Sequence, residues 1–246
     1  MHQNRPCDKL TRERNLAGCA RPQKRNCGKE FLTLMERVGE QSLFRGCSAG
    51  EIREVLARTN ARIRRCAASE IVVHECLPAK ELFVVLSGKV FSYVCGLQDD
   101  RRHLVGLCTA GSVVGALVAV RPQGNYPLML VASEPTELLV MDISAVRAML
   151  SCPSLARFVR NLVAIGAETG LRAARKLAVL SCYETGDRIL LHMRHHLEET
   201  GEKTLQYSAS ELAEYLGVNR AALYRSVRKL VRAKRLIASR GKLTLP

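Results

Sequence analysis

Long apolar runs are missing from this 246-residue chain, and none approaches the roughly 20 residues that a membrane-spanning helix needs. An apolar h-region is missing from the N-terminus as well. No signal peptide is therefore expected, and the expected location is cytoplasmic. Catalytic signatures are also absent: there is no P-loop, no G-x-S-x-G and no paired-carboxylate pattern. Tryptophan does not occur, which carries no functional meaning. Neither internal repeats nor low-complexity tracts are present, so solenoids and disordered low-complexity proteins are set aside. The chain is not expected to be an enzyme.

What the chain does have is charge, and its distribution is informative. The formal net charge is +15; residues 1–29 carry +6, residues 208–246 carry +7, and +2 is left for everything between. Charge gathered at both ends points to an anionic polymer met by a particular surface. A membrane surface would attract it too, but no basic amphipathic helix with large apolar anchors accompanies it. Ten cysteines are present, and in a cytosolic chain of this size they are expected to stay reduced. Cys7, Cys19 and Cys27 are too widely spaced for C-x2–4-C zinc ligation. An iron–sulfur cluster tolerates irregular spacing and stays open on spacing alone.

Length favours two domains. Residues 1–29 read as a basic, flexible extension. Within 30–150, Ser48 caps a helix over Gly50 to Arg58, and short apolar segments follow. Ile71–Val73, Leu82–Leu86, Lys89–Val94, His103–Cys108, Leu128–Ala132 and Leu138–Met141 are the strand candidates. Ser87-Gly88, Gln98-Asp99-Asp100, Ala110-Gly111 and Gln123-Gly124-Asn125 punctuate them. That spacing implies an antiparallel barrel or sandwich. Cys152-Pro153-Ser154 then opens a long helix in a 151–182 segment. Leu155, Val159, Leu162, Gly166, Thr169, Ala173, Leu177 and Leu180 trace a heptad seam along it, expected to zip two copies into a homodimer. A hinge is expected around Ser181–Gly186, followed by a helix from Asp187 to Glu199.

The C-terminal segment, 183–246, carries the clearest motif. Ser208 caps a first helix, with Glu211 placed to complete a capping box. Leu212, Ala213 and Leu216 share its face, and Gly217 closes it. Asn219 caps a second helix whose apolar stripe is Leu223, Val227, Leu230 and Val231. Its other face presents Arg220, Ala221, Tyr224, Arg225 and Arg228. Leu236–Ala238 and Leu243–Leu245 flank Ser239-Arg240-Gly241-Lys242, a hairpin with a basic tip. Together these make a winged helix-turn-helix, with Ser208, Ser210, Asn219, the second helix's polar face and Arg240 as the DNA-binding residues.

LFVVLSGKV at 82–90, AGSVVGA at 110–116 and ELAEYLGVNRAALYRSVRKL at 211–230 resemble the cyclic-AMP receptor and fumarate–nitrate regulator (Crp/Fnr) family of bacterial transcription regulators, over Phe44 to Leu245. The resemblance implies an α+β protein: an N-terminal antiparallel β-roll of the cyclic-nucleotide-binding, jelly-roll type, a dimerisation helix and a C-terminal winged helix-turn-helix. It implies a palindromic double-stranded DNA operator, a homodimer, and RNA polymerase as a further partner. It makes Arg220 and Arg225 the phosphate- and base-contacting arginines. Where the family often has Glu reading cytosine this chain has Ala221, so a different operator is expected.

In family members that bind cyclic nucleotides, a Glu, an Arg-Ser pair and a Thr-Ser pair hold the ligand. Ala116, Tyr126-Pro127 and Ala173-Ala174 stand at those places. Without the guanidinium, the phosphate's lost hydration goes uncompensated, so the effector is expected not to be cyclic AMP. A less charged or aromatic molecule against Tyr126 is the expectation. Cys-x-His haem ligation and the barrel cysteine of the iron–sulfur sensors are missing, so neither cofactor is expected. Cys152, at a helix N-terminus, and Cys182, at the hinge, are the redox candidates. His192, His195 and His196 are expected to be solvated rather than metal ligands. The competing readings are an effector-free architectural DNA binder and a cupin-like metalloenzyme. For the latter, the barrel segment offers His74 and His103 but no His-x-His.

Overall fold

The computed structural model describes residues 34–95 and 102–246. The basic extension with its three cysteines, and the Gln98–Asp100 turn, lie outside the described residues. A helix ending at residue 39 (α1) leads into a 3-10 turn at Ser42–Phe44 and then α2, Ala49–Arg58. Ser48 caps α2 with a complete capping box: its hydroxyl accepts from the Glu51 N–H while the Glu51 carboxylate accepts from the Ser48 N–H.

Eight strands follow: β1 Arg62–Cys66, β2 Ile71–Val73, β3 Glu81–Ser87, β4 Lys89–Cys95, β5 Arg102–Thr109, β6 Val113–Val114, β7 Met129–Ala132 and β8 Thr136–Asp142. They form two four-stranded antiparallel sheets, β1-β8-β3-β6 and β2-β7-β4-β5. The unbroken apolar run Leu82–Leu86 is buried along its whole length. Burial without alternation means that both faces of β3 are covered. Two short helices, α3 (Ala116–Ala119) and α4 (Ile143–Met149), complete this β-roll. Asp142 caps α4 through the amides of Ser144 and Ala145.

Sequence patterning did not reveal β1, because RIRRC has no apolar alternation. Its arginines meet carboxylates instead: Arg62 pairs with Glu81 of β3, Arg64 with Glu70, and Arg65 with its register partner Glu137 on β8, which Arg37 also reaches. Pairs this exposed contribute about 0–1 kcal/mol each, so they favour a register more than they stabilise a fold.

Pro153 opens a separate 3-10 turn (Pro153–Leu155), and the long helix α5 runs from Ala156 to Ser181. Leu155, Phe158, Leu162 and Gly166 are buried on the β-roll. Phe158 packs on Phe44, and the Asn161 amide donates to the carbonyls of Leu43 and Arg45. The expected seam is therefore split. Its first half faces this chain's own roll, while Leu177 is 67% exposed and Val163, which the seam omitted, is 52% exposed. The unpartnered face runs instead through Val163, Ala167, Gly170, Ala174 and Leu177, in steps of four and three.

After a three-residue connector come α6 (Thr185–Thr200), β9 (Thr204–Gln206), α7 (Ala209–Tyr215), α8 (Arg220–Arg232), β10 (Ile237–Ser239) and β11 (Lys242–Thr244). Gly186 lies inside α6 rather than in a hinge. A second core joins Val179 of α5 to Ile189 and Met193 of α6, Leu212, Ala213 and Leu216 of α7, and Leu223, Val227 and Leu230 of α8.

Candidate nucleic-acid interface

Each helix of the C-terminal pair starts at a cap and stops for a chemical reason. The Ser208 hydroxyl accepts from the Glu211 N–H, but among the described residues the return bond from the Glu211 carboxylate is not made, so half of the expected capping box forms. Gly217 takes φ +64, the left-handed geometry that a glycine tolerates. The Asn219 side chain accepts from the Ala222 N–H at 2.8 Å and starts α8. Leu223, Val227 and Leu230 are buried as expected. Val231 is exposed, because the stripe has rotated past it by the last turn.

This packing leaves Arg220, Ala221, Tyr224, Arg225 and Arg228 on the outer face of α8, all exposed, with Ser208 and Ser210 exposed at the start of α7. β10, β11 and β9 form a three-stranded wing. Its tip is Arg240-Gly241, and Gly241, at φ +65, accepts from the Tyr207 N–H. Between wing and α8 lies a cleft of about 490 Å3, lined by Tyr207, Tyr224, Val227 and residues 238–241. Sequence reasoning missed Tyr207 here, since only the wing's fold carries it to the cleft. Burial pushes its phenol pKa up, helped by Tyr224, so it stays a neutral hydrogen-bonding group.

The arginines of β1 differ from those of α8 and the wing tip. Those of β1 each meet a carboxylate, whereas among the described residues Arg220, Arg225, Arg228 and Arg240 form no ion pair. Four unneutralised guanidinium groups on one helix face and the neighbouring wing tip can bind an extended anion.

The residues named for an effector pocket are not gathered into one. Ala116, at the start of α3, and Tyr126 are buried in the core of the roll, Pro127 is exposed, and Ala173 and Ala174 are exposed on α5. Tyr126 is 7% exposed and its hydroxyl is saturated: it donates to the Glu81 carbonyl at 2.7 Å and accepts from the Glu81 N–H at 2.9 Å. The Tyr126 hydroxyl, at the place expected of the phosphate-binding pair, is thus bonded to the main chain.

Cys152 lies in a surface cleft beside α5, with its sulfur 3.2 Å from the Ser154 hydroxyl and 3.9 Å from Arg58. The Ser154 hydrogen bond, and then the Arg58 charge, draw its thiol pKa down. Burial drives Cys47, Cys66 and Cys108 the other way. Cys182 caps the C-terminus of α5. The three histidines of α6 are not the solvated row expected: the His192 ring packs 4.7 Å from that of Tyr215, and His196 bonds the Thr204 carbonyl. Among the described residues, no group of His, Cys, Asp and Glu gathers into a metal site.

Residues 63–151 match the family model of the cyclic nucleotide-binding domain. No curated protein matches the chain. Among solved structures, the c-di-GMP responsive global regulator CLP of Xanthomonas campestris is 23% identical at a TM-score of 0.60, covering 80% of this chain and 99% of that one. A CooA mutant from Carboxydothermus hydrogenoformans is 18% identical at a TM-score of 0.64, covering 78% and 85%. FixK2 of Bradyrhizobium japonicum is 19% identical at 0.59, covering 75% and 92%. Residues 63–151 thus resemble a cyclic nucleotide-binding domain. Over the 75–80% of its length that is matched, the chain has the fold of the Crp/Fnr-family regulators. Among the described residues, no helix is long and apolar enough to cross a membrane.

Proposed function

We propose that the protein is a homodimeric, sequence-specific DNA-binding transcription regulator acting on a palindromic operator. The observation that carries this reading is the clustering of unpaired guanidinium groups on one face of α8 and the wing tip, set against the neutralised arginines of β1. Two copies joined along α5 would present two α8 helices to half-sites about one helical turn, roughly 34 Å, apart. If Arg225 reads a guanine edge, Arg225→Ala lowers affinity for the selected operator by about 1–3 kcal/mol and relaxes base preference at one position. Arg220→Ala, removing a phosphate contact, weakens all sequences alike and lowers the salt slope by about one unit. Operator selection from random DNA, followed by anisotropy titrations at several salt concentrations, checks both. Enrichment of no palindrome would instead indicate an architectural binder.

The signal is not cyclic AMP, since the roll carries Tyr126 where its phosphate would need a cation. A thiol signal is favoured by one observation: Cys152 is exposed to a cleft and drawn toward thiolate, so peroxide oxidises it ahead of the buried cysteines. Peroxide is then expected to change operator affinity in the wild type and to leave Cys152→Ser unchanged. Equal affinity of oxidised and reduced wild type would remove Cys152 from the signal.

A further inference from the structure

Where α5, α6 and α7 meet, two cations that DNA binding does not use are aimed at one helix end. Lys176, on α5, is only 8% exposed. Its ammonium lies 3.2 Å from the centre of the Tyr215 ring and donates to the Tyr215 carbonyl. Arg188, on α6, bridges the other way: Nε donates to the Cys182 carbonyl at the end of α5, and Nη1 to the Leu216 carbonyl, both at 2.9 Å. The last carbonyls of α7 have no partner within their own helix, and here two of them are held by side chains from the two preceding helices. Arg175 adds a third tie, to Glu199 and Glu198 at the far end of α6.

We infer that Lys176 is a positioning residue for DNA reading: with Arg188 it clamps the carbonyl end of α7 to α5, so that the long helix carries the helix-turn-helix as one body. The connector at residues 182–184 is then not a free swivel. A signal that shifts α5 moves α8 with it, through Leu212, Ala213 and Leu216 against Leu223, Val227 and Leu230. The consequence for DNA rests on the function proposed above; the clamp itself does not.

The clamp is also sensitive to pH. Burial, and then Arg188, push the Lys176 ammonium down to about 7, against the opposing pull of Glu214. Arg175 beside it is paired with Glu198 and Glu199, and Tyr215 and His192 complete the groups facing it. A released lysine returns to 10.5. Opening therefore takes up a proton between those values: the clamp is tightest above 10.5, loosens as pH falls toward 7, and is flat below. His192, held down to about 4 mainly by burial, adds a separate window from 6.5 to 4.

Hydrogen exchange on the full-length protein between pH 7 and 9, corrected for intrinsic rates, tests the clamp without DNA. Protection of the Leu216, Gly217 and Val218 amides is expected to rise with pH in the wild type, by up to about tenfold per unit. Lys176→Met keeps the stem but not the charge, and Lys176→Arg keeps a charge that does not titrate. Both are expected to flatten that slope while β3 stays fully protected. In operator titrations, Lys176→Met is expected to weaken binding about tenfold, and Lys176→Arg, which keeps N–H donors but buries a permanent charge, to recover only part of it. A wild-type slope of zero, or the same slope in both variants, overturns the clamp. A wild type that exchanges as expected but binds no DNA would sink the proposed function and leave the clamp standing.

Discussion

Leu177→Glu is expected to turn the dimer into a monomer and to lower operator affinity about a hundredfold or more, the loss that follows when two linked half-site contacts become one. In the single chain Leu177 is 67% exposed, and it continues a face that starts at Val163, 52% exposed, and runs through Ala167, Gly170 and Ala174. An apolar face of this length on one helix calls for a covering surface, and a two-fold axis lets the same face cover itself. Burying one leucine contributes about 1.5–3 kcal/mol, counted twice in a symmetric pair. A carboxylate in its place has to be desolvated as well. Leu162→Ala supplies the contrast. Leu162 is fully buried against the roll, so that change is expected to cost about 2–5 kcal/mol of fold stability and to leave the dimer in place. Sedimentation equilibrium and denaturant titration of both variants separate the two faces. A Leu177→Glu protein that stays dimeric at micromolar concentration would show that this face is not the contact.

A loss of stability as large as that of Leu162→Ala is expected from Gly88→Ala. Gly88 turns β3 into β4 at φ +82. A Cβ there would meet the Thr136 hydroxyl at 2.5 Å, the Pro135 carbonyl oxygen at 2.6 Å and the Thr136 Cα at 2.8 Å. Two of the three are main-chain atoms and cannot swing aside. The left-handed backbone costs an L-residue about 1–2 kcal/mol, and the overpacking about 1–3 kcal/mol more. The Thr136 hydroxyl also bonds Lys89 and the Glu134 carbonyl, so displacing it breaks a buried network. A fall of about 2–5 kcal/mol in unfolding free energy is expected, read from the urea midpoint. Gly106→Ala, where a Cβ meets nothing within 4 Å, is the matched control and should change little.

Much of the fold is written locally. The Ser87-Gly88 turn, the Ser48 and Asn219 caps, the Gly217 stop and the Arg240-Gly241 wing tip all depend on one residue's own dihedral or on a hydrogen bond three positions away. The outer face of α8 was legible for the same reason: once Leu223, Val227 and Leu230 go inward, helical geometry fixes where Arg220, Tyr224, Arg225 and Arg228 point. β1 was not legible, because arginines make it a strand only when Glu81, Glu70 and Glu137 arrive from elsewhere in the chain.

The sequence by itself determined the order of elements, their caps and turns, and the cationic face of the second helix. Only the tertiary structure decided which side of α5 is free. That helix has apolar residues three and four apart on more than one face, and the choice fell to Phe44 and to the Leu43 and Arg45 carbonyls on the roll. Tertiary structure also took Lys176 out of water, although a lysine in a helix reads locally as solvated. Caps and periodicity act within one or two turns, whereas helix phase and the charge of a buried amine depend on partners dozens of residues away.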